Sequence, residues 1–280
     1  MSAPALVVAG SLNLDLVATT ARLPRPGETV ADGRFTRQAG GKGANQAAAA
    51  ARLGGRVRMI GCVGTDAEGE FLLRELTTAG VDVSGVQRGE AATGTALILV
   101  DAAGENSIVV CPGANALLDP DAVDLGDAAL LVQLETPLPT VERLVQRATG
   151  LVVLNAAPAR ELPDPLIERA DLVVVNEDEY AAMPQLRGAR RVVVTLGADG
   201  AALYERGTLL LQVPGVPARV VNTVGAGDAF TAALTLALLG GESERPALEL
   251  ACRVGAAAVA DERSQPLLQP LDAYRTLIGG

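Results

Sequence analysis

Short apolar runs that alternate with longer segments of helical character constrain the fold of this chain more than any other feature. The runs span residues 6–9, 57–60, 130–134, 151–154, 172–175 and 192–195. Nearly continuous apolar runs of this length are typical of parallel strands that are buried on both faces. Segments 45–53 and 139–148 lie between runs and are predicted to be helices. The alternation therefore predicts an α/β fold, with a mostly parallel central sheet covered on both faces.

Two regions break this alternation. Residues 16–36 and 93–110 contain segments in which apolar and polar residues alternate, interrupted by proline and glycine. Such segments are typical of antiparallel strands rather than of helical crossovers. We interpret both as a small β lid on the sheet, with ordinary surface hairpins as the alternative. At 280 residues the chain is long enough for one large domain, and we expect residues 1–280 to form it.

The composition excludes several classes of function. The chain has no histidine, which rules out a histidine-containing triad and the usual histidine metal sites. A formal net charge of -10 disfavours nucleic-acid binding, which needs a basic surface. No apolar run reaches the roughly 20 residues that cross a bilayer, and the first residues do not resemble a signal peptide. We therefore expect a cytoplasmic protein without a membrane or nucleic-acid partner, with Cys62, Cys111 and Cys252 as buried free thiols.

Polar residues follow several of the predicted strands directly. Glu135, Asn155, Asn176 and the turn at 195–197 each come at the end of an apolar run. In an open α/β sheet the ligand crevice lies at the carboxyl ends of the strands. These residues therefore predict a binding site along one edge of the sheet.

The segment 223–228 combines glycines with an acid immediately before an apolar helical stretch. Glycines at a helix start allow backbone N–H groups to converge on an anion, and the helix dipole adds to the attraction. An acid in the first turn, here Asp228, could accept the proton of a hydroxyl that attacks a phosphoryl group. The alternative is an aspartate that only stabilises its own helix terminus.

A second glycine-rich turn, at residues 40–45, precedes the helix predicted over 45–53. It lacks the spacing of a Walker A loop. A tight turn that exposes Lys42 and Asn45 suits a polyhydroxylated ligand, because the backbone can approach closely and an asparagine both donates and accepts. A plain turn is the alternative.

Asn13 and Asp15 follow the first predicted strand. With one residue between them they share a face of an extended segment, so both side chains could point into one crevice. Alone, an Asn-x-Asp sequence is also common in turns.

Three acids open a helix at residues 176–179. Favourable interaction with the helix dipole explains them without any function. In the functional interpretation, Asn176 faces phosphate and Glu179 orients water around Mg²⁺, which usually retains several waters.

Taken together, these motifs resemble those of the PfkB family of carbohydrate kinases, in its ribokinase group. The resemblance runs from Leu6 to about Pro266. It depends on the motifs at 10–15, 40–46, 133–137, 157–163, 176–179, 195–197 and 225–228. It implies a ribokinase-like three-layer α/β/α sandwich with a β lid, and ATP-dependent phosphorylation of a sugar, with D-ribose at O5 as the leading substrate. A nucleoside, deoxyribose or hexose derivative is the alternative acceptor, and a non-catalytic sugar-binding protein is the remote alternative.

The resemblance also implies a role for each matching residue. Asp228 would be the catalytic base, with the amides of Gly225, Ala226 and Gly227 stabilising the transferring phosphoryl group. The sugar would be bound by Asn13, Asp15, Gly41, Lys42, Asn45 and Glu135. The ATP site would be lined by Asn176, Thr195, Gly197, Gly200 and Gly227. Glu179 would organise Mg²⁺ through water, and the lid would pair two subunits into a homodimer.

The sequence departs from the family pattern at the monovalent-cation site, which would include Asn222 and Val224. Relatives usually carry an aspartate where this chain has Asn222, and Arg263 and Leu267 replace a glycine and a small polar residue. The hypothesis is that potassium activation is weak or absent, with the Arg263 guanidinium at the position of the charge.

A second departure is the length of the crossover between Asn176 and Val192. Only about 15 residues connect two parallel strands, close to the minimum of roughly a dozen for such a connection. We expect one short helix here and a thinner cover on the sheet, for which a loop or a partner subunit compensates.

Overall fold

The computed structural model describes residues 5–275. The strands in this part of the chain are β1 (Ala5–Ala9), β2 (Asn13–Thr19), β3 (Arg34–Gly40), β4 (Arg56–Gly64), β5 (Asp82–Gly89), β6 (Gly94–Val100), β7 (Asn106–Cys111), β8 (Ala129–Gln133), β9 (Val152–Asn155), β10 (Leu172–Asn176), β11 (Val192–Thr195), β12 (Ala201–Glu205) and β13 (Thr208–Val213). The α-helices are α1 (Lys42–Arg52), α2 (Ala67–Thr78), α3 (Leu138–Arg147), α4 (Asp164–Arg169), α5 (Glu177–Ala182), α6 (Ala226–Leu239) and α7 (Glu244–Ala258). Short 3-10 helices cover Gly113–Leu117, Pro184–Gly188, Gly197–Asp199 and Leu271–Tyr274.

Nine of these strands form the central sheet, in the order β13-β12-β11-β10-β9-β8-β1-β4-β5. All six predicted strands are present, and they pair in parallel from β4 through β1, β8, β9 and β10 to β11. The sequence reading missed β5, β12 and β13 at the two edges. These strands are less uniformly apolar, and β5 and β13, the two outermost strands, are paired on one side only.

Helices cover both faces of the sheet and complete three layers. One apolar core lies between the sheet and α1, α2, α6 and α7, and the other lies between the sheet and α3, α4 and α5. Helix α1 begins at Lys42, three residues before the prediction, whereas α3 matches its prediction to within one residue. The alanines at 47–50 of α1 are at most 2% exposed. Small side chains with high helix propensity let α1 pack closely against its neighbours.

A second sheet, here called the lid sheet, has the order β3-β2-β6-β7. The outer pairs are antiparallel, but β2 and β6 run parallel. The prediction of purely antiparallel excursions was therefore wrong at the central pair, because the chain passes through the main sheet between β2 and β6. The first pair of lid strands extends beyond the predicted bounds of 16 and 36, to Asn13 and Gly40, and residues 20–33 between the two strands lie in a loop.

The short crossover between β10 and β11 contains α5 and, in addition, a 3-10 helix, where the sequence predicted one short helix. Met183 and Leu186 fill the core beneath it and are 1% and 0% exposed. Tyr180 stacks on Tyr204 of β12, with ring centroids 5.3 Å apart. The residues of the crossover itself thus cover this part of the sheet, and the expected compensation by another loop or a partner subunit stays a prediction.

The cysteines are free, as predicted, but they differ in exposure. Cys62 and Cys252 are buried. Cys111 is exposed, which corrects the expectation of three buried thiols. It ends β7, an edge strand of the lid sheet that pairs only with β6 within residues 5–275.

Candidate active site

A cavity of about 360 Å³ opens between the carboxyl ends of the central strands and the lid sheet. We call it the polar cavity. Its walls include the predicted site residues Asn13, Asp15, Gly41, Lys42, Asn45, Glu135, Asn176, Glu179, Thr195, Val224, Gly225, Gly227 and Asp228. These residues lie far apart in the sequence, and the parallel sheet brings them to one edge because its strands all end there.

Asn13 and Asp15 share the cavity face of β2, as the spacing predicted. Both are buried, at 2% and 5% exposure. Asn13 accepts a hydrogen bond of 2.7 Å from Asn115. Burial, together with the negative charges of Glu135 and Asp228, raises the pKa of Asp15 to about 7. A carboxyl group near half-ionisation at neutral pH can accept hydrogen bonds from a polar ligand at little further cost in desolvation.

Glu135 lies just beyond β8 and joins two segments of the cavity wall. Its carboxylate accepts 2.5 Å and 2.9 Å hydrogen bonds from the Ser11 hydroxyl and the backbone N–H of Lys42. Burial lowers the pKa of the Lys42 ammonium, but the surrounding carboxylates outweigh it, so that the net pKa is raised. Lys42 is therefore positively charged among acids, with capacity to bind an anion.

Asp228 lies in the first turn of α6 and is 7% exposed. Its two carboxylate oxygens accept hydrogen bonds from the side-chain amides of Asn45 at 3.1 Å and Gln46 at 2.9 Å. Burial raises the pKa of Asp228, while Lys42 and the two amide donors oppose the rise. An aspartate with a raised pKa, whose carboxylate oxygens are fixed by two amide donors, can accept a proton from a bound hydroxyl.

The first turn of α6 provides an anion-binding position next to Asp228. Gly225 is the residue that precedes this turn, and no side chain caps it. Its φ is 81°, and a Cβ placed there would lie 2.0 Å from the carbonyl oxygen of Ser264. Only glycine fits this position, and the N–H groups that follow point toward the cavity end of the helix.

A second cavity of about 570 Å³ adjoins the first, and we call it the glycine-lined cavity. It shares Thr195, Thr223 and Gly227 with the polar cavity. Its walls include the predicted residues Gly197, Gly200 and Ala226. The remaining lining residues are mostly small and apolar, which suits the base and sugar of a nucleotide whose phosphates reach α6.

Asn176 and Glu179 form a capping box at the start of α5. The Asn176 side chain accepts from the Glu179 N–H at 2.7 Å, and the Glu179 carboxylate accepts from the Asn176 N–H at 2.8 Å. Stabilisation of the start of α5 therefore explains both residues without any further function. Both also line the polar cavity.

The donor set for Mg²⁺ is sparse. Residues 5–275 contain no cluster of three or more acidic or cysteine side chains that could hold a metal. Mg²⁺ usually retains several waters and binds through one or two carboxylates and substrate phosphates. Glu179, on the wall of the polar cavity, fits such a water-mediated contact.

Asn222 is the one predicted site residue that lines neither cavity. Its amide donates to the carbonyl of Glu262 at 3.0 Å and its oxygen accepts from the N–H of Val224. The Arg263 guanidinium hydrogen-bonds to Asp261 and is 60% exposed. Asn222 thus connects the loop before α6 to the 261–264 loop directly, and Arg263 already has a carboxylate partner.

Sequence reasoning missed several groups of the polar cavity. Ser11 supports Glu135, and Gln46 supports Asp228 from behind. The lid sheet adds an apolar roof of Ala96, Ile98, Ile108 and Val110. The alternation within the two lid segments marks which residues share this face, but the facing cavity appears only when the two sheets are assembled.

A buried aspartate in the first turn of a helix whose N-terminus no side chain caps is suited to moving a phosphoryl group onto a hydroxyl. By fold and site, the molecule belongs to the α/β phosphotransferases that act on small molecules.

Comparisons with known proteins agree with this assignment to the phosphotransferases. The model of the pfkB family carbohydrate kinases matches residues 3–270. The ribokinases of Haemophilus influenzae and Bacillus subtilis are each 36% identical to this chain, over 91% of it and 90% and 92% of theirs. The ribokinase of Arabidopsis thaliana, solved with ribose and ATP, superposes with a TM-score of 0.88 at 30% identity, over 99% of both chains. The chain belongs to the PfkB family of carbohydrate kinases, and the predicted family, fold class and enzyme class are confirmed.

Proposed function

We propose that this protein transfers the terminal phosphoryl group of ATP to the O5 hydroxyl of D-ribose, giving ribose 5-phosphate. The observation that carries the proposal is the position of Asp228. It lines the polar cavity, next to the first turn of α6 that both cavities share. The similarity to ribokinases over nearly the whole chain supports ribose as the acceptor.

The sugar lies in the polar cavity in this proposal. The groups that bind it are Asn13, Asp15, Gly41, Lys42, Asn45 and Glu135, all of which line that cavity. Carboxylates and amides at several angles can hydrogen-bond adjacent hydroxyls of a sugar and fix one hydroxyl against Asp228. The apolar lid residues close over the ring and exclude water from the reacting oxygen.

Asp228 accepts the proton of that hydroxyl as it attacks. The N–H groups of Gly225, Ala226 and Gly227 and the Lys42 ammonium stabilise charge on the transferring phosphoryl group. The nucleotide lies along Asn176, Thr195, Gly197, Gly200 and Gly227. Glu179 would hold water around Mg²⁺, and the ion would neutralise charge on the phosphate oxygens.

The lining of the polar cavity favours a sugar over a nucleoside. No phenylalanine or tyrosine is among its lining residues, and the chain contains no tryptophan. A nucleobase is usually held by aromatic stacking in addition to hydrogen bonds. The four aliphatic lid residues leave room for a small ring.

We also infer that two copies pair through the lid sheet. On its outer face Leu97 lies opposite Val109 in register, and these side chains are 46% and 59% exposed. Phe35 lies on the same face and is 63% exposed. An apolar face of this kind favours burial against a second copy, with the lids as the symmetric contact. An ATP-consuming reaction also fits the cytoplasmic location expected from the sequence.

A coupled ADP-release assay across ribose, deoxyribose, fructose and common nucleosides tests the acceptor. We expect ribose to give the highest kcat/KM. A nucleoside or hexose with a higher kcat/KM would replace ribose as the substrate. No stimulation of turnover by any of these acceptors would contradict the kinase function.

A further inference from the structure

Gln46 lies directly behind the Asp228 carboxylate and uses both ends of its side-chain amide. Its Nε2 group donates at 2.9 Å to Asp228 and at 2.9 Å to the Oδ1 atom of Asn155. Its Oε1 atom accepts from the Nε2 group of Gln133 at 2.5 Å. Gln46 and Gln133 are both 0% exposed.

The orientation of this amide decides whether Gln46 supports or repels Asp228. If the Gln46 amide were flipped, its Oε1 atom would face the oxygens of Asp228 and Asn155. All three atoms are acceptors, so no hydrogen bond would form. Gln133 opposes the flip, because its N–H needs the Oε1 atom on its own side. The two glutamines therefore form a directed chain of donors that ends at the base.

Gln133 places a polar side chain in an apolar part of the sheet, which costs desolvation free energy. Its hydrogen bond to Gln46 explains why a polar residue is present there. Its own Oε1 atom is buried and has no hydrogen-bond partner within residues 5–275. The neighbouring residues of β8 are leucine, valine and alanine. An apolar residue would satisfy the core of the sheet at lower desolvation cost, so the contact with Gln46 is what the polar side chain contributes.

We propose that Gln46 is a positioning residue for Asp228, and that Gln133 holds the Gln46 amide in the donating orientation. Neither touches the reacting atoms. The Gln133–Gln46 pair fixes one carboxylate oxygen of the base, so that the other, held by Asn45, faces the substrate hydroxyl. This inference rests on the proposed function, since it assigns the pair a role in the same phosphoryl transfer.

The pair also affects the ionisation of the base. The groups that face Asp228 are Lys42, Asn45 and Gln46 from α1, Asp15 from β2 and Glu135 beyond β8. Donation from Gln46 lowers the pKa of Asp228 against the effect of burial. Loss of that donor raises the pKa further, so the acidic limb of the kcat profile moves to higher pH.

The test compares Gln46→Met, Gln133→Met and the double variant with the wild type. For Gln46→Met we expect kcat to fall by roughly 10- to 100-fold, with KM for ribose and ATP within about threefold, because a small misplacement of a base is costly. Its acidic limb should lie at higher pH. Gln133→Met should show the same changes at about three- to tenfold. The double variant should match Gln46→Met, since Gln133 acts only through Gln46.

Thr235→Val is the matched control for loss of a buried polar group. Thr235 is 0% exposed, lies two turns beyond Asp228 in α6 and donates only to Thr231. It should lower the melting temperature without changing kcat or its pH profile. If Gln46→Met does not fold, Gln133→Met alone decides the question by the same readouts.

Three results would overturn the proposal. These are a kcat within twofold of the wild type in the folded Gln46 or Gln133 variant, an unshifted acidic limb, or a double variant whose loss is the product of the single losses. Absence of turnover in the wild type would instead contradict the proposed function. The two failures are thus distinguishable in one assay.

Discussion

At the scale of single residues, burial raises the pKa of both Asp15 and Asp228, and the two groups differ in the neighbours that act with or against it. Asp228 is held by two amides and a nearby ammonium, whereas Asp15 faces two other carboxylates. The first arrangement favours a base that is ready to accept a proton. The second stores electrostatic repulsion at a ligand-binding position.

Asp228→Asn should abolish proton acceptance while preserving the shape of the side chain. We expect kcat to fall by roughly 10²- to 10⁴-fold, which is the range for loss of a general base. Calorimetric titration should show that ribose still binds. A kcat within tenfold of the wild type would remove Asp228 from its proposed role.

Asp15→Asn should stabilise the fold while it weakens the binding of ribose. Between the ordinary pKa of 3.8 and the folded-state pKa of about 7, the unfolded chain has released a proton that the folded chain retains. Stability therefore falls as pH rises through this interval, and asparagine removes that loss. We expect a higher melting temperature than the wild type, with a larger gain at pH 8 than at pH 5, together with a raised KM for ribose.

Thermal denaturation at the two pH values checks this prediction. Asp178→Asn, a change at an exposed aspartate of α5, is the control and should leave the pH dependence unchanged. Equal melting temperatures for Asp15→Asn and the wild type at pH 8 would contradict the raised pKa.

At the scale of elements, helix termini carry most of the proposed chemistry. The start of α6 offers N–H groups to an anion, and the start of α5 is closed by its own capping box. Glu179 thus has a structural role whatever else it does, and a test of its metal role must keep the cap intact.

Glu179→Gln meets this requirement, because glutamine also serves at the third position of a capping box. We expect an unchanged melting temperature and a Mg²⁺ concentration for half-maximal rate that rises by about tenfold, since the charged contact to the hydrated ion is lost. Glu177→Gln makes the same charge change at an exposed position in the same turn. An equal effect of both variants would show a general charge effect instead of a metal contact.

The loops at 222 and 262 give the prediction for monovalent cations. The Asn222 side chain is a neutral amide that donates to the carbonyl of Glu262, so it brings an N–H group and no negative charge to this loop. We expect turnover in potassium buffer to be within about twofold of turnover in tetramethylammonium buffer. Strong activation by potassium would contradict the hypothesis of a lost cation site.

At the scale of the whole molecule, the two sheets have different tasks. The central sheet is buried between two helical layers, and the carboxyl ends of its strands contribute to the walls of both cavities. The lid sheet has an apolar roof on one face and an exposed apolar surface on the other. The structure shows no helix in residues 5–275 that is long and apolar enough to span a membrane.

Val109→Glu should prevent the proposed pairing, because it places a charge on the exposed apolar face of the lid sheet, opposite Leu97. We expect the mass measured by light scattering to fall from two chains to one. Leu209→Glu, at a 51% exposed leucine on the edge strand β13, is the matched control and should keep the dimer. A monomeric wild type, or an unchanged mass for Val109→Glu, would contradict the lid contact.

The sequence by itself determined the parallel sheet, the strand-end residues and the family. Uniform apolar runs identify buried strands, and Gly225 and Asp228 keep a fixed spacing at one helix start. These features are local in the chain. For that reason they could be read without knowledge of which elements meet.

Only the tertiary structure decided how distant groups combine. The contact of Gln133 with Gln46, and of Gln46 with Asp228, spans 87 and 182 positions in the chain. The parallel pairing of β2 with β6 likewise depends on the path through the main sheet. Hydrogen bonds and burial form between residues that are adjacent in space, and sequence spacing fixes adjacency only within one element.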